Sequence, residues 1–246
     1  MPKINKTYIG LFLISLATLM LEISLIRFFS IAQWYHFAFM VISIALFGIA
    51  ASGTFLFVKS VKNPLFLSSV LFSLSTIAGF FITNNLSFDA YKATTNLAHI
   101  FVLLLYYAFL SLPFFFLGVI VAFILSKNQK NSGVVYFYNL SGSALGTILA
   151  MPALAFLNVK VIFLISLTGF FASLFFMHNK RLNKVVLFLI IANLLLFFIK
   201  IDINISPYKE LSHALNIPNS KLIATKWNSF SRVDVVTSSF TRYAPG

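Results

Sequence analysis

Seven long apolar segments divide this chain, and they constrain its fold more than any other feature. They run approximately over residues 8–29, 37–58, 65–83, 97–125, 134–157, 161–177 and 185–199. A helix needs about 20 apolar residues to cross roughly 30 Å of hydrocarbon. The pattern therefore predicts an all-α integral membrane bundle of about seven transmembrane helices over residues 1–200, with residues 201–246 as the beginning of a soluble domain. The composition agrees. Of the residues, 60% are hydrophobic and only 9% are charged, and there are 31 phenylalanines. So few charges cannot furnish the water-facing exterior of a soluble domain. Pro113 interrupts the fourth segment and predicts a kink, because proline removes one helix hydrogen bond. At the N-terminus, Lys3 and Lys6 precede an apolar run in the manner of a signal peptide. No small-x-small cleavage pattern precedes Glu22, so the run reads as an uncleaved first span.

The net charge is +13, but the basic residues are not spread as a nucleic-acid surface would spread them. They cluster in alternate short loops: Lys3 and Lys6, then Lys59 and Lys62, then Lys127 and Lys130, then Lys180, Arg181 and Lys184. The intervening loops carry only Lys92 and Lys160, the former partly offset by Asp89. This alternation predicts a multi-pass protein of the cell membrane with a cytoplasmic N-terminus. An odd number of spans then places the tail outside. The short seventh and polar fifth segments depart furthest from an ordinary span.

Inside the apolar segments, ionisable residues are costly and draw attention as candidate sites. Glu22 is the only acid deep within a segment. Arg27, five residues on, lies about 140° away around a helix, so the two do not share a face. Arg27 sits near the far interface, where it can snorkel. Glu22 has no such escape, so it is expected either to be protonated or to pair with a group on another helix, with His36 the nearest in sequence. Trp34, Tyr35 and Phe37 around His36 read as an interfacial aromatic belt. In the fifth segment, Gly142, Gly146 and Ala150 recur every four residues as a ridge for close helix approach, beside a polar ridge of Asn139, Ser143 and Thr147. Gly48, Ser52 and Gly53 give the second segment a weaker small face.

No catalytic motif accompanies these residues. The absence of cysteine excludes disulfides, thiolate metal sites and cysteine nucleophiles. His99, His178 and His213 have no metal-ligand spacing, and no metal site is expected. The chain holds no phosphate-cradling glycine loop, nucleophile elbow or paired carboxylates. After residue 200 the composition turns polar. Ser206 and Pro207 predict a short helix to Leu215, and residues 221–227 and 232–237 read as strands joined by a turn at 228–231. About 45 polar residues are too few to fold alone, so they read as the opening of a truncated α/β or β domain.

Several stretches resemble the membrane region of bacterial spermidine synthase-like proteins. They are Leu21-Glu-Ile-Ser-Leu-Ile-Arg-Phe-Phe-Ser, Trp34-Tyr-His-Phe-Ala-Phe with the run to Gly53, Leu112-Pro-Phe-Phe-Phe-Leu-Gly, and Tyr136 to Gly146. The tail fits as well, with Ser206-Pro-Tyr-Lys, Trp227-Asn, Arg232-Val-Asp-Val-Val and Arg242-Tyr-Ala-Pro-Gly. The resemblance implies a multi-span region preceding a polyamine aminopropyltransferase-like domain, which uses decarboxylated S-adenosylmethionine and an amine acceptor. The cofactor loop and acidic catalytic positions would lie beyond Gly246, so no catalytic residue or cofactor carries over, and the chain alone is expected to be non-catalytic. The partners this reading allows are the lipid bilayer, further copies of the chain and a C-terminal catalytic domain; nucleic acid is not among them. An outward-facing tail sits awkwardly with a cytoplasmic adenosyl cofactor. Two other readings compete. One is a transporter or permease-like module in which Glu22, His36 and Asn139 line a path for a cation such as a polyamine. The other is a structural membrane scaffold.

Overall fold

The computed structural model describes residues 5–86, 88–89, 91–177 and 182–240. Seven helices follow the seven apolar segments: α1 (Lys6–Ala32), α2 (His36–Val58), α3 (Leu65–Asn85), α4 (Leu97–Lys127), α5 (Ser132–Leu157), α6 (Val161–Phe176) and α7 (Asn183–Leu196). The tail adds α8 (Glu210–Leu215) and a hairpin of β1 (Lys221–Trp227) and β2 (Arg232–Thr237). Local chemistry marks the boundaries. Asn5 and Asn96 cap α1 and α4 by accepting from Thr7 N and Ala98 N at 3.1 and 2.9 Å. Asn158 takes a positive φ of 54° and turns the chain from α5 into α6.

Among the described residues, five stretches are long and apolar enough to cross a membrane: α1, α2, α3, α4 and the joined run Gln129–Phe176 that contains α5 and α6. Of the seven expected segments, the last two form the shortest helices. At 16 and 14 residues, α6 and α7 are only about 24 and 21 Å long.

α1 is the central helix. It packs against α5, α6, α2 and α4, while α3 bridges α4 and α6. Ile14, Leu21 and Leu25 of α1 are at most 1% exposed, beside Ile44, Phe80, Phe114 and Ile165 of its neighbours. α7 lies at the rim, with Val186 and Ile190 against Phe170 of α6 and Phe66 and Val70 of α3. The outward faces remain apolar. Phe57 is 92% exposed, and Phe39, Phe137, Phe156 and Phe188 are exposed too. That is an exterior water would reject.

The helices alternate in direction. Tyr8 stacks on Tyr138, and Gly142 and Gly146 meet Phe12 and Leu16, so α1 and α5 run parallel. Gly10 meets Phe176, so α6 opposes α1. Tyr106 of α4 donates to Thr83 O of α3, and Asn193 of α7 donates to Ser166 of α6. Every odd helix therefore points one way and every even helix the other. One end of the bundle carries Lys6, Lys59, Lys62, Lys127, Lys130 and Lys184, and the loops there contain no acid. The opposite end receives the tail.

The hairpin strands match their expected ranges, with register Trp227↔Arg232, Thr225↔Asp234 and Leu222↔Val236. A bulge between Leu222 and Ala224 keeps Leu222 on the same face as Thr225 and Trp227. The helix expected from Pro207 begins only at Glu210. Ser206 N is already spent on Ala32 O of α1 at 2.7 Å, and Lys209 is extended, so the chain turns once before it coils. His178, Lys3, Lys180, Arg181 and the Arg242–Gly246 stretch lie outside the described residues.

Candidate functional site

The polar residues singled out in the sequence do not converge. Asn139, on the second turn of α5, faces α1: Ser15 Oγ lies 2.7 Å from its Oδ1 and 2.8 Å from Leu11 O. One hydroxyl proton serves one acceptor. Both contacts are satisfied when the Asn139 amide turns its NH2 toward Ser15 and Ser15 donates to Leu11 O. Ser143 and Thr147 do not extend this contact; Thr147 is exposed and bonds back to Ser143 O. Glu22 lies in the second half of α1, half-buried, and no hydrogen bond or ion pair joins it to another described residue. The expected tie to His36 is absent. His36 begins α2 at the tail end of the bundle, exposed, with its ring 3.8 Å from that of Tyr35.

The small residues do what their spacing predicts. A methyl group built on Gly142 or Gly146 would overlap the backbone carbonyl of Phe12 or Leu16, and Ala150 continues the ridge fully buried. Gly48 faces the backbone of Ser111 and Phe115 and the Phe114 Cβ on α4, and Ser52 faces Gly118. Gly53 meets nothing within 4 Å and drops out of this contact. Pro113 sits within an unbroken α4. It frees the Phe109 carbonyl, which lies 3.3 Å from a Cβ built on Gly79 of α3.

The densest cluster of inter-element polar contacts is elsewhere, where the tail seats on the bundle. Arg27 reaches the tail end of the bundle, where its Nη2 donates to Ser229 O in the hairpin turn at 3.1 Å. Lys209 Nζ donates to Ser30 O at 2.7 Å beside the Ser206–Ala32 bond, so an ammonium and an amide N–H meet the last carbonyls of α1. Those carbonyls form the negative end of the helix dipole. Asn84 at the end of α3 donates to Asp202 O at 3.0 Å and accepts from Asn204 N at 3.1 Å. Tyr208 OH donates to Asp89 Oδ2 at 3.0 Å.

Electrostatics follow from this geometry. Desolvation raises the Asp89 carboxyl, but N–H bonds from Lys92 and Tyr91, the Tyr208 hydroxyl and the Lys92 ammonium outweigh it and hold the group below its ordinary value. The same hydrogen bond to Asp89, then burial, pushes the Tyr208 phenol up. Burial lowers the Lys209 ammonium. In the hairpin, Asp234 accepts from Arg232 at 2.9 Å and Thr225 at 2.6 Å, and the Arg232 guanidinium lies 6.0 Å from the Trp227 ring. Between hairpin and bundle runs a groove of about 420 Å³, walled by Val159, Ile203, Leu211, Leu222 and Trp227.

Sequence reading missed Asn84, Tyr208 and Lys209. Their only signal was polarity next to apolar segments, which ordinary helix ends share. No group of three or more His, Asp or Glu residues able to hold a metal occurs among the described residues. Compared with known proteins, the chain matches no family model, no curated protein and no solved structure.

Proposed function

We propose that this chain is the membrane-embedded N-terminal region of a spermidine synthase-like protein, and that its role is to anchor and orient the start of a soluble domain. The observation that carries this reading is the seat of the tail. Residues 202–229 are joined to α1, α3 and the loop before α4 by backbone and side-chain hydrogen bonds, not by a loose linker. A membrane domain that only tethers needs no such seat; one that fixes the orientation of its cargo does. In this reading the bundle spans the cell membrane, the acid-free lysine end lies in the cytoplasm, and the tail lies outside. The domain that the tail begins is then related in fold only and does not draw on the cytoplasmic adenosyl pool; decarboxylated S-adenosylmethionine belongs to a relative whose soluble domain faces the cytoplasm. The rival reading, cation transport, needs Glu22, His36 and Asn139 along one path. Asn139 sits near the lysine end and His36 at the tail end, and no groove links them with Glu22 among those described. The scaffold reading differs from the anchor only in lacking a cargo.

The chain lacks cysteine, so single cysteines report sidedness cleanly. Ser212→Cys should react with an impermeant maleimide in intact cells, and Lys62→Cys only after permeabilisation. Labelling of Lys62→Cys alone would reverse the orientation and remove the proposed outward presentation. Equal labelling of both in intact cells would put the two sites on one side of the membrane and overturn this topology.

A further inference from the structure

We infer that the open concavity lined by Trp34, His36, Phe37 and Tyr91, at the tail end of the bundle, is a binding site for a quaternary ammonium group. Its volume is about 280 Å³, and those four are its lining among the described residues. Such a space is small for a drug-sized molecule and suited to a head group. An interfacial aromatic belt spreads rings around a bundle. Here residues from two separate loops line one space, and other aromatic groups pack against them. Phe88 packs edge-on against Phe37 at 5.4 Å. Tyr208 lies 4.8 Å from Tyr91, with its hydroxyl tied to Asp89. Tyr35 lies against His36. Phe37 N donates to Trp34 O at 3.0 Å, which holds Trp34 and Phe37 in one turn. A wall whose partners are themselves packed is preorganised for binding.

The lining also selects the ligand. Three aromatic rings line the space, and such rings attract a cation. None of the described lining residues carries a carboxylate, which a metal ion or a primary ammonium needs to replace lost hydration. A methylated ammonium is weakly hydrated and needs only the rings. Asp89, two residues from Tyr91, is paired with Lys92 at 3.5 Å, so the two charges offset each other and the rings carry the attraction. The ligand is either the head group of a choline lipid or a free methylated amine; both present the same group. The site is independent of the anchoring role.

The test uses the full chain in nanodiscs of deuterated phosphatidylglycerol. Aromatic protons are saturated and transfer to the N-methyl protons of tetramethylammonium is recorded. The expected result is saturable transfer that falls at least fivefold in Tyr91→Ala and persists in Tyr91→Phe. Tyr91 is 61% exposed, so neither change should unfold the chain, and an unchanged elution profile checks this. Absent transfer, transfer unaltered in Tyr91→Ala, or transfer suppressed equally by ammonium chloride overturns the proposal. Repeating the measurement in phosphatidylcholine nanodiscs separates the sources. A lost signal identifies the lipid head group as occupant, and an undiminished one identifies a free solute.

Discussion

Arg27 of α1 donates from Nη2 to the Ser229 carbonyl, 3.1 Å away in space and 202 residues away in sequence. One hydrogen bond thus ties the central helix of the bundle to the turn of the terminal hairpin. The turn is preformed, since Asn228 N donates to Ser231 O and Asn228 Oδ1 accepts from Phe230 N. Arg27 therefore orients a rigid hairpin instead of shaping a loose one. Replacing it with alanine should weaken seating of the hairpin by about 1 kcal/mol, about fivefold in the open fraction. Trypsin cleavage at Lys221 and Lys226 would report the change. Equal cleavage rates in parent and Arg27→Ala would show that the bond contributes nothing to docking.

A second expectation concerns the α1–α5 contact. Cβ atoms on Gly142 and Gly146 would meet backbone carbonyls of Phe12 and Leu16, and backbone cannot move aside as a side-chain tip can. Gly142→Leu and Gly146→Leu should each cost on the order of 1–3 kcal/mol or more. The control is Gly53→Ala, where space is open. A thermal melt in detergent followed by size-exclusion recovery should show large losses for the first two and none for the third. A stable Gly146→Leu protein would mean that α1 and α5 do not approach as described.

How much of this was legible beforehand depends on the kind of signal. The helices could be read because twenty apolar residues in a row have one low-energy solution in hydrocarbon. The hairpin strands could be read because alternation and a turn-rich Asn228–Ser231 act locally. The glycine ridge could be read because its four-residue spacing already implies a face. The tail seat could not: Asn84, Lys209 and Ser206 earn their roles from contacts more than 100 residues away. The partner of Arg27 was hidden for the same reason, since what a side chain meets at the bundle's end is legible only once the hairpin's position is known. The aromatic cage was visible only as half of itself, because Tyr91 comes from another loop.

The Tyr208–Asp89 contact sets a pH window. Asp89 has a folded value below 3.8, its ordinary one, so it stabilises the seat above 3.8, and that stabilisation is lost as pH falls through its lower folded value. Tyr208 has a folded value above 10.0, so its contribution is complete below 10.0 and is lost as pH rises through the higher value. Tail docking should be flat between about pH 5 and 9 and weaken at both extremes. Trp227, which packs against the core under the hairpin, can report docking by its fluorescence in a Trp34→Phe background. Asp89→Asn should remove this group's share of the acid limb. An acid limb identical in Asp89→Asn would assign it to another carboxylate.

Glu22 supplies the last test, because its surroundings argue against its conspicuousness. A buried carboxylate normally persists beside a partner, and removing that partner or the acid itself costs several kcal/mol. Glu22 is half-buried and meets no partner among the described residues. Nothing is therefore broken when the carboxyl is exchanged for an amide of the same size. Glu22→Gln keeps the size and should shift stability by no more than about 0.5 kcal/mol in a detergent melt, toward greater stability if it moves at all. Glu22→Leu should behave similarly, since it exchanges a lone polar group for one suited to an apolar face. A loss of about 3 kcal/mol or more in Glu22→Gln would reveal a partner that the ionised carboxylate holds. In that event the first place to look is a second copy of the chain, because the half-exposed side of Glu22 faces away from the bundle's own core.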